Sequence, residues 1–70
     1  MTNEQKMQVI QACIGDIQSF ENDPQLSEDD KLHIKIALEE YRRLYSEAEK
    51  GRIDPDLLHE NISSFLYVLQ

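Results

Sequence analysis

The sequence predicts an all-α fold, an antiparallel up-down-up three-helix bundle forming a single domain over residues 1–70. Three observations predict it. Apolar residues recur at steps of three and four through three segments, the pattern of a helix with one buried face. The segments, about 3–21, 28–50 and 55–69, are separated by Asn22-Asp23-Pro24 and by Gly51, which are helix-stopping signals. No stretch alternates as a strand does, and both connections are short enough to make consecutive helices antiparallel neighbours.

In the first segment Thr2 is a plausible N-cap and Gln5 stands three residues on, a capping-box pattern. Met7, Ile10, Ile14 and Ile17 then mark one face, flanked by Cys13 and Phe20. Gly15 interrupts this helix at a cost of about 1 kcal/mol relative to Ala. Close approach of another helix and a tolerated surface glycine both account for it. Pro24 disfavours helical geometry at Asp23 and ends the segment.

The second helix starts at Ser27, a capping residue. Glu28, Asp29 and Asp30 follow in the first turn, where the helix dipole favours negative charge. Ile34, Leu38, Tyr41, Tyr45 and Ala48 form its buried face, widened by Ala37 and Leu44. Leu32 and Ile36 point nearly the opposite way, so the helix is either covered on two sides or shows an apolar spot to a partner. Glu39 and Arg43 have the spacing of an i,i+4 ion pair. Lys50 and Gly51 close the helix.

The third helix has Asp54 as its cap, Pro55 at the first helical position and Asp56 in the first turn. Ile53 and Leu58 have the spacing of a hydrophobic staple. Leu58, Ile62, Phe65, Leu66 and Leu69 make the buried stripe, with Leu57 and Val68 at its edges. Residues Phe65 to Leu69 must therefore dock on the first two helices or on something else.

Composition narrows the function. The chain is 40% hydrophobic, with 14 acidic and 7 basic residues and a net charge of −7. That balance argues against binding a phosphate backbone or an anionic lipid surface, both of which need clustered Lys and Arg. No apolar run has the length of a membrane span, so membrane insertion is not expected. The polar start, Met1-Thr2-Asn3-Glu4-Gln5-Lys6, does not read as a signal peptide, and the expected location is the cytoplasm. So small a core predicts modest stability, a protein partner, or both.

Chemistry is sparse. Cys13 lies on an apolar face without a cation in the turn that follows, which describes a structural thiol. His33 with Asp29 and Asp30, and His59 with Asp56, are read as surface histidines after first-turn acids, because no Cys or His pairs have zinc-site spacing. Asp54-Pro55-Asp56 fails as a calcium loop, having His59 where the sixth-position glycine belongs. Asn61-Ile62-Ser63 matches a glycosylation sequon by coincidence. Arg42-Arg43 and Lys50…Arg52 are read as solvated helix surface. No catalytic residue, metal or cofactor is expected, and the chain reads as a protein that works by contact rather than as an enzyme. Leu32, Ile36, Arg43 and Tyr67 lie off the core stripes and are the candidate partner-binding residues.

The stretch from Val9 to Leu66 resembles the immunity proteins that protect Gram-positive lactic acid bacteria from their own pediocin-like bacteriocins, especially the enterocin A immunity group. The resembling features begin with an Ile-rich first helix ending in Asp23-Pro24 and an acidic-capped second helix. That second helix finishes Leu44-Tyr45-Ser46-Glu47-Ala48-Glu49-Lys50-Gly51. Ile53-Asp54-Pro55-Asp56-Leu57-Leu58 and an Ile62…Phe65-Leu66-Tyr67 helix complete the likeness. The resemblance implies a cytoplasmic antiparallel helix bundle. It implies action at the mannose phosphotransferase permease, locking the complex of permease and bacteriocin. Family members continue into a fourth helix and tail, which have no counterpart in these residues, so no contact residue is carried over. Two other functions fit the residues: a small regulatory or adaptor module that self-associates as a homodimer, and an acidic phage-type inhibitor. The latter would use Asp29, Asp30, Glu39, Glu40, Glu47 and Glu49.

Overall fold

A computed structural model describes residues 2–70; Met1, which opens the polar N-terminal stretch, lies outside them. Helix α1 spans Asn3–Ser19, α2 spans Glu28–Glu49 and α3 spans Pro55–Leu69. The described residues are 83% helical, without strands, and form an all-α three-helix bundle.

Each helix starts where its cap dictates. Thr2 and Gln5 close a reciprocal capping box: the Thr2 amide donates to Gln5 Oε1 at 2.9 Å, and the Gln5 amide to Thr2 Oγ1 at 3.1 Å. Ser27 Oγ accepts from the Asp30 amide, and Asp54 Oδ1 from the Asp56 amide, with Pro55 opening α3. The α2 terminus is a Schellman turn around Gly51 at φ +75°. In it the Arg52 amide donates to Glu47 O, and the Gly51 amide to Ala48 O, both at 3.0 Å. Arg52 Nη1 also reaches Glu47 Oε2 at 3.3 Å, so an ion pair spans the same turn.

Two boundaries differ from the sequence reading. Regular α1 geometry ends at Ser19 rather than Glu21 and tightens into a 3-10 turn, Phe20–Asn22. Pro24 holds Asp23 extended, and the Asp23 amide turns back to Phe20 O at 3.1 Å. Lys50 is the α2 cap rather than part of the helix. Gly15 is exposed, and a Cβ built there meets nothing within 4 Å, so the surface reading holds and the close-approach reading falls.

Helix direction follows from side chains that meet. Lys6 Nζ lies 3.1 Å from the Asp56 carboxylate, joining the start of α1 to the start of α3. Asn3 and Met7 share a depression with Tyr45, Gly51 and Pro55, which puts the end of α2 beside the start of α1. Thus α1 and α3 run together, with α2 opposed. The core is Ile10, Ile14 and Ile17 of α1, Ile34, Leu38, Tyr41 and Ala48 of α2, and Leu58 and Ile62 of α3. Met7, Ile53, Phe65, Leu66 and Leu69 pack around it half-buried, so the end of α3 docks on the bundle. Helix α1 packs on both others, whereas α2 and α3 touch each other least. That imbalance opens a groove between α2 and α3.

Candidate functional site

Leu32, Ile36 and Arg43 stand on one face of α2, at steps of four and seven residues, which a 3.6-residue turn brings into line. The face is turned away from Ile34, Leu38 and Tyr41, the residues that α2 buries. Leu32 and Ile36 are 55% and 56% exposed, so the second helix shows an apolar spot to solvent and is not covered on two sides. Arg43 pairs with Glu40 and not, as its spacing suggested, with Glu39. The Arg43 Nε meets Glu40 Oε2 at 3.3 Å, and Nη2 meets Oε1, a two-point contact. Long helical side chains lean back over the preceding turn, which holds both acids; Glu40 receives the guanidinium fork with both oxygens. The hydrogen bond and charge of Arg43 hold the Glu40 carboxyl below its ordinary pKa, and Glu40 raises that of Arg43.

Tyr67 is 81% exposed on the outer face of α3, where it shares a shallow depression with His59, Ser63 and Val68. Leu32 instead borders Glu21, Glu28, Lys31 and Lys35. The four candidate residues are therefore all exposed, but Tyr67 stands on a different helix and lines a different depression from Leu32.

The sequence reading set Leu57 and Val68 at the edges of the buried stripe, and the structure corrects this. They are 66% and 82% exposed. Because α3 leans on α1 more than on α2, the α2-facing flank of its stripe is left open. Leu57 and Val68 line the α2–α3 groove, a recess of about 490 Å³ that opens to solvent. On its inner side Phe65 meets Tyr41 edge to face, with ring centroids 5.9 Å apart and planes at 76°. The Tyr41 hydroxyl donates to Asn61 Oδ1 at 2.9 Å, satisfying the polar tip of a buried ring. Asn61, Leu57 and Val68 were missed as groove residues, although positions 57, 61, 64 and 68 step by four, three and four and so share a line on α3.

The remaining reactive groups are scattered. Cys13 is half-buried, and its thiol pKa is raised, first by burial and then by the Asp16 carboxylate one turn on. Ser63 Oγ and His59 Nε2 approach to 3.3 Å, an i,i+4 pair on one helix turn. Among the described residues no three His, Cys, Asp or Glu side chains converge as a metal site would require. No helix among them is long and apolar enough to cross a membrane. The exposed large apolar positions lie mainly on the outer face of α2 and the groove side of α3. Comparison with family models, with curated proteins and with solved structures finds no match to this chain.

Proposed function

We propose that this chain is a non-catalytic binding protein and serves as a bacteriocin immunity protein. In this reading it acts from the cytoplasmic side on the complex of the mannose phosphotransferase permease with bound bacteriocin. The observation that carries the binding reading is the exposure of large apolar side chains on two helices, Leu32 and Ile36 on α2 and Leu57, Tyr67 and Val68 on α3. Clustered exposed apolar groups rimmed by polar ones mark protein–protein contact. The immunity assignment is supported by the resemblance along Val9 to Leu66 and by the helical bundle.

The test is protection. The chain is expressed in a bacteriocin-sensitive Gram-positive strain and challenged with a panel of pediocin-like peptides. A large rise in lethal dose for one peptide is expected. No protection against any peptide, with expression confirmed, rejects the immunity assignment.

A second reading, a self-associating regulatory or adaptor module, draws on the same exposed faces. Sedimentation equilibrium separates the two, because a strict monomer at high micromolar concentration excludes a homodimer.

A further inference from the structure

We infer that the α2–α3 groove receives a basic amphipathic helix from a protein partner. In this complex the apolar edge of the helix lies along Leu57, Phe65 and Val68, and its cations meet Glu60 and the C-terminal end of α3. The inference rests on the reading of the chain as a binding protein but not on the immunity assignment.

The arrangement of the groove side chains suits a helix. Leu57, Asn61, Ser64 and Val68 form one line on α3, and eleven residues of helix rise span about 16 Å, or three turns. Large apolar groups stand at the two ends of the line, and the shorter Asn61 and Ser64 between them let a second helix come close. The inner side is already fixed, since Tyr41 is tied to Asn61 and meets Phe65 edge to face. A volume of about 490 Å³ that opens to solvent suits a row of side chains presented by a helix, one of the recurring modes of peptide recognition.

Charge selects the sign of the partner. From its cap to its end, α3 carries Asp54, Asp56 and Glu60 and has neither Lys nor Arg. Glu60 lines the groove and no cation does. The last turn of α3 holds no basic residue, so no side chain of that turn counters the negative end of its dipole beside Val68. The whole chain is at −7. A second copy packed α3 against α3 would bring no cation to Glu60 and would set like charges together. An anionic lipid surface would be repelled. Lysines or arginines flanking an apolar edge complete what the groove lacks.

The experiment uses the full chain labelled with nitrogen-15. Its probe is a synthetic amphipathic peptide of about four turns, with leucines stepping by four, three and four and lysines on the remaining faces. Two control peptides are a scrambled sequence and a version with glutamates in place of lysines. The expected result is amide shifts concentrated at residues 57–68 and at Tyr41. Binding should weaken as salt rises and fall about tenfold or more for both controls. The double substitution L57S/V68S should cost a similar factor while leaving the helical circular dichroism intact, because both side chains are exposed. The substitution V9S, at an exposed apolar position on α1 away from the groove, should bind as the parent does. Three outcomes overturn the inference: shifts centred on Leu32 and Ile36, equal binding of the scrambled peptide, or groove shifts on dilution without peptide, which would make a second copy the occupant. Groove binding without protection in cells rejects the immunity assignment alone. Protection without groove binding rejects the groove alone.

Discussion

The Tyr41 hydroxyl donates to Asn61 Oδ1 across the α2–α3 seam, a contact of 2.9 Å between residues twenty apart in the chain. It is the polar counterpart of the Tyr41–Phe65 ring contact, and together they hold the two helices that otherwise touch least. Tyr41→Phe keeps the ring and removes the donor. A hydrogen bond of this kind contributes about 0.5–1.5 kcal/mol. In a chain of this size each kcal/mol shifts the melting midpoint by roughly 4–8 °C. Thermal denaturation at neutral pH should show a drop of that order, and an unchanged midpoint would mean that water replaces the bond at no cost.

The same phenol gives the bundle an alkaline limit. Burial raises the Tyr41 pKa above its ordinary value, so the unfolded chain releases this proton first. Its contribution is fully present below about pH 10, where the unfolded phenol titrates, and is lost as pH rises toward the folded value. Melting midpoints measured from pH 8 upward should fall above pH 10, and Tyr41→Phe should flatten that fall.

The two glycines should respond in opposite directions. At Gly15 an added Cβ meets nothing, and the helix gains by losing a flexible residue. Gly15→Ala should stabilise by about 0.5–1 kcal/mol. Gly51 sits at φ +75°, and Gly51→Ala should destabilise by about 1 kcal/mol through left-handed strain. Urea denaturation of both variants reads the two signs directly.

Ile62 is fully buried where α3 meets the bundle. Ile62→Ala should cost about 2–5 kcal/mol, a large share of the roughly 4–10 kcal/mol available to a chain of this length. Tyr67→Ala, on the exposed side of the same helix, should stay within about 0.5 kcal/mol. Equal losses in urea denaturation would contradict the packing of α3.

Cys13 should be a slow nucleophile. Burial and the Asp16 carboxylate both disfavour the thiolate. Alkylation of the folded chain at pH 8 should run slower than in urea, and Asp16→Asn should speed the folded reaction.

Much of the bundle was legible because its punctuation is local. Thr2 with Gln5, Ser27, Asp54-Pro55 and Gly51 each act within one turn of the backbone they control, and all four do what their positions predict. Apart from the ends of α1 and α2, the misreadings concern relations between turns or between helices. The spacing of Arg43 admits two acids, and only side-chain geometry selects Glu40. The periodicity of α3 locates a buried centre at Leu58 and Ile62. It cannot show how far the neighbours reach around the helix, so Leu57 and Val68 were drawn inward when they face an open groove. Asn61 found Tyr41 through the register of two helices, which neither segment encodes alone.

The dominance of α1 as the shared packing partner bears on synthesis. Its isoleucine face is covered on one side by α3, so the nascent chain carries that face partly bare while translation runs from Ser19 to Leu69. At typical elongation speeds the interval is about 2.5–10 s. During it the emerging hairpin of α1 and α2 presents an apolar surface that chaperones or a neighbouring nascent chain can reach.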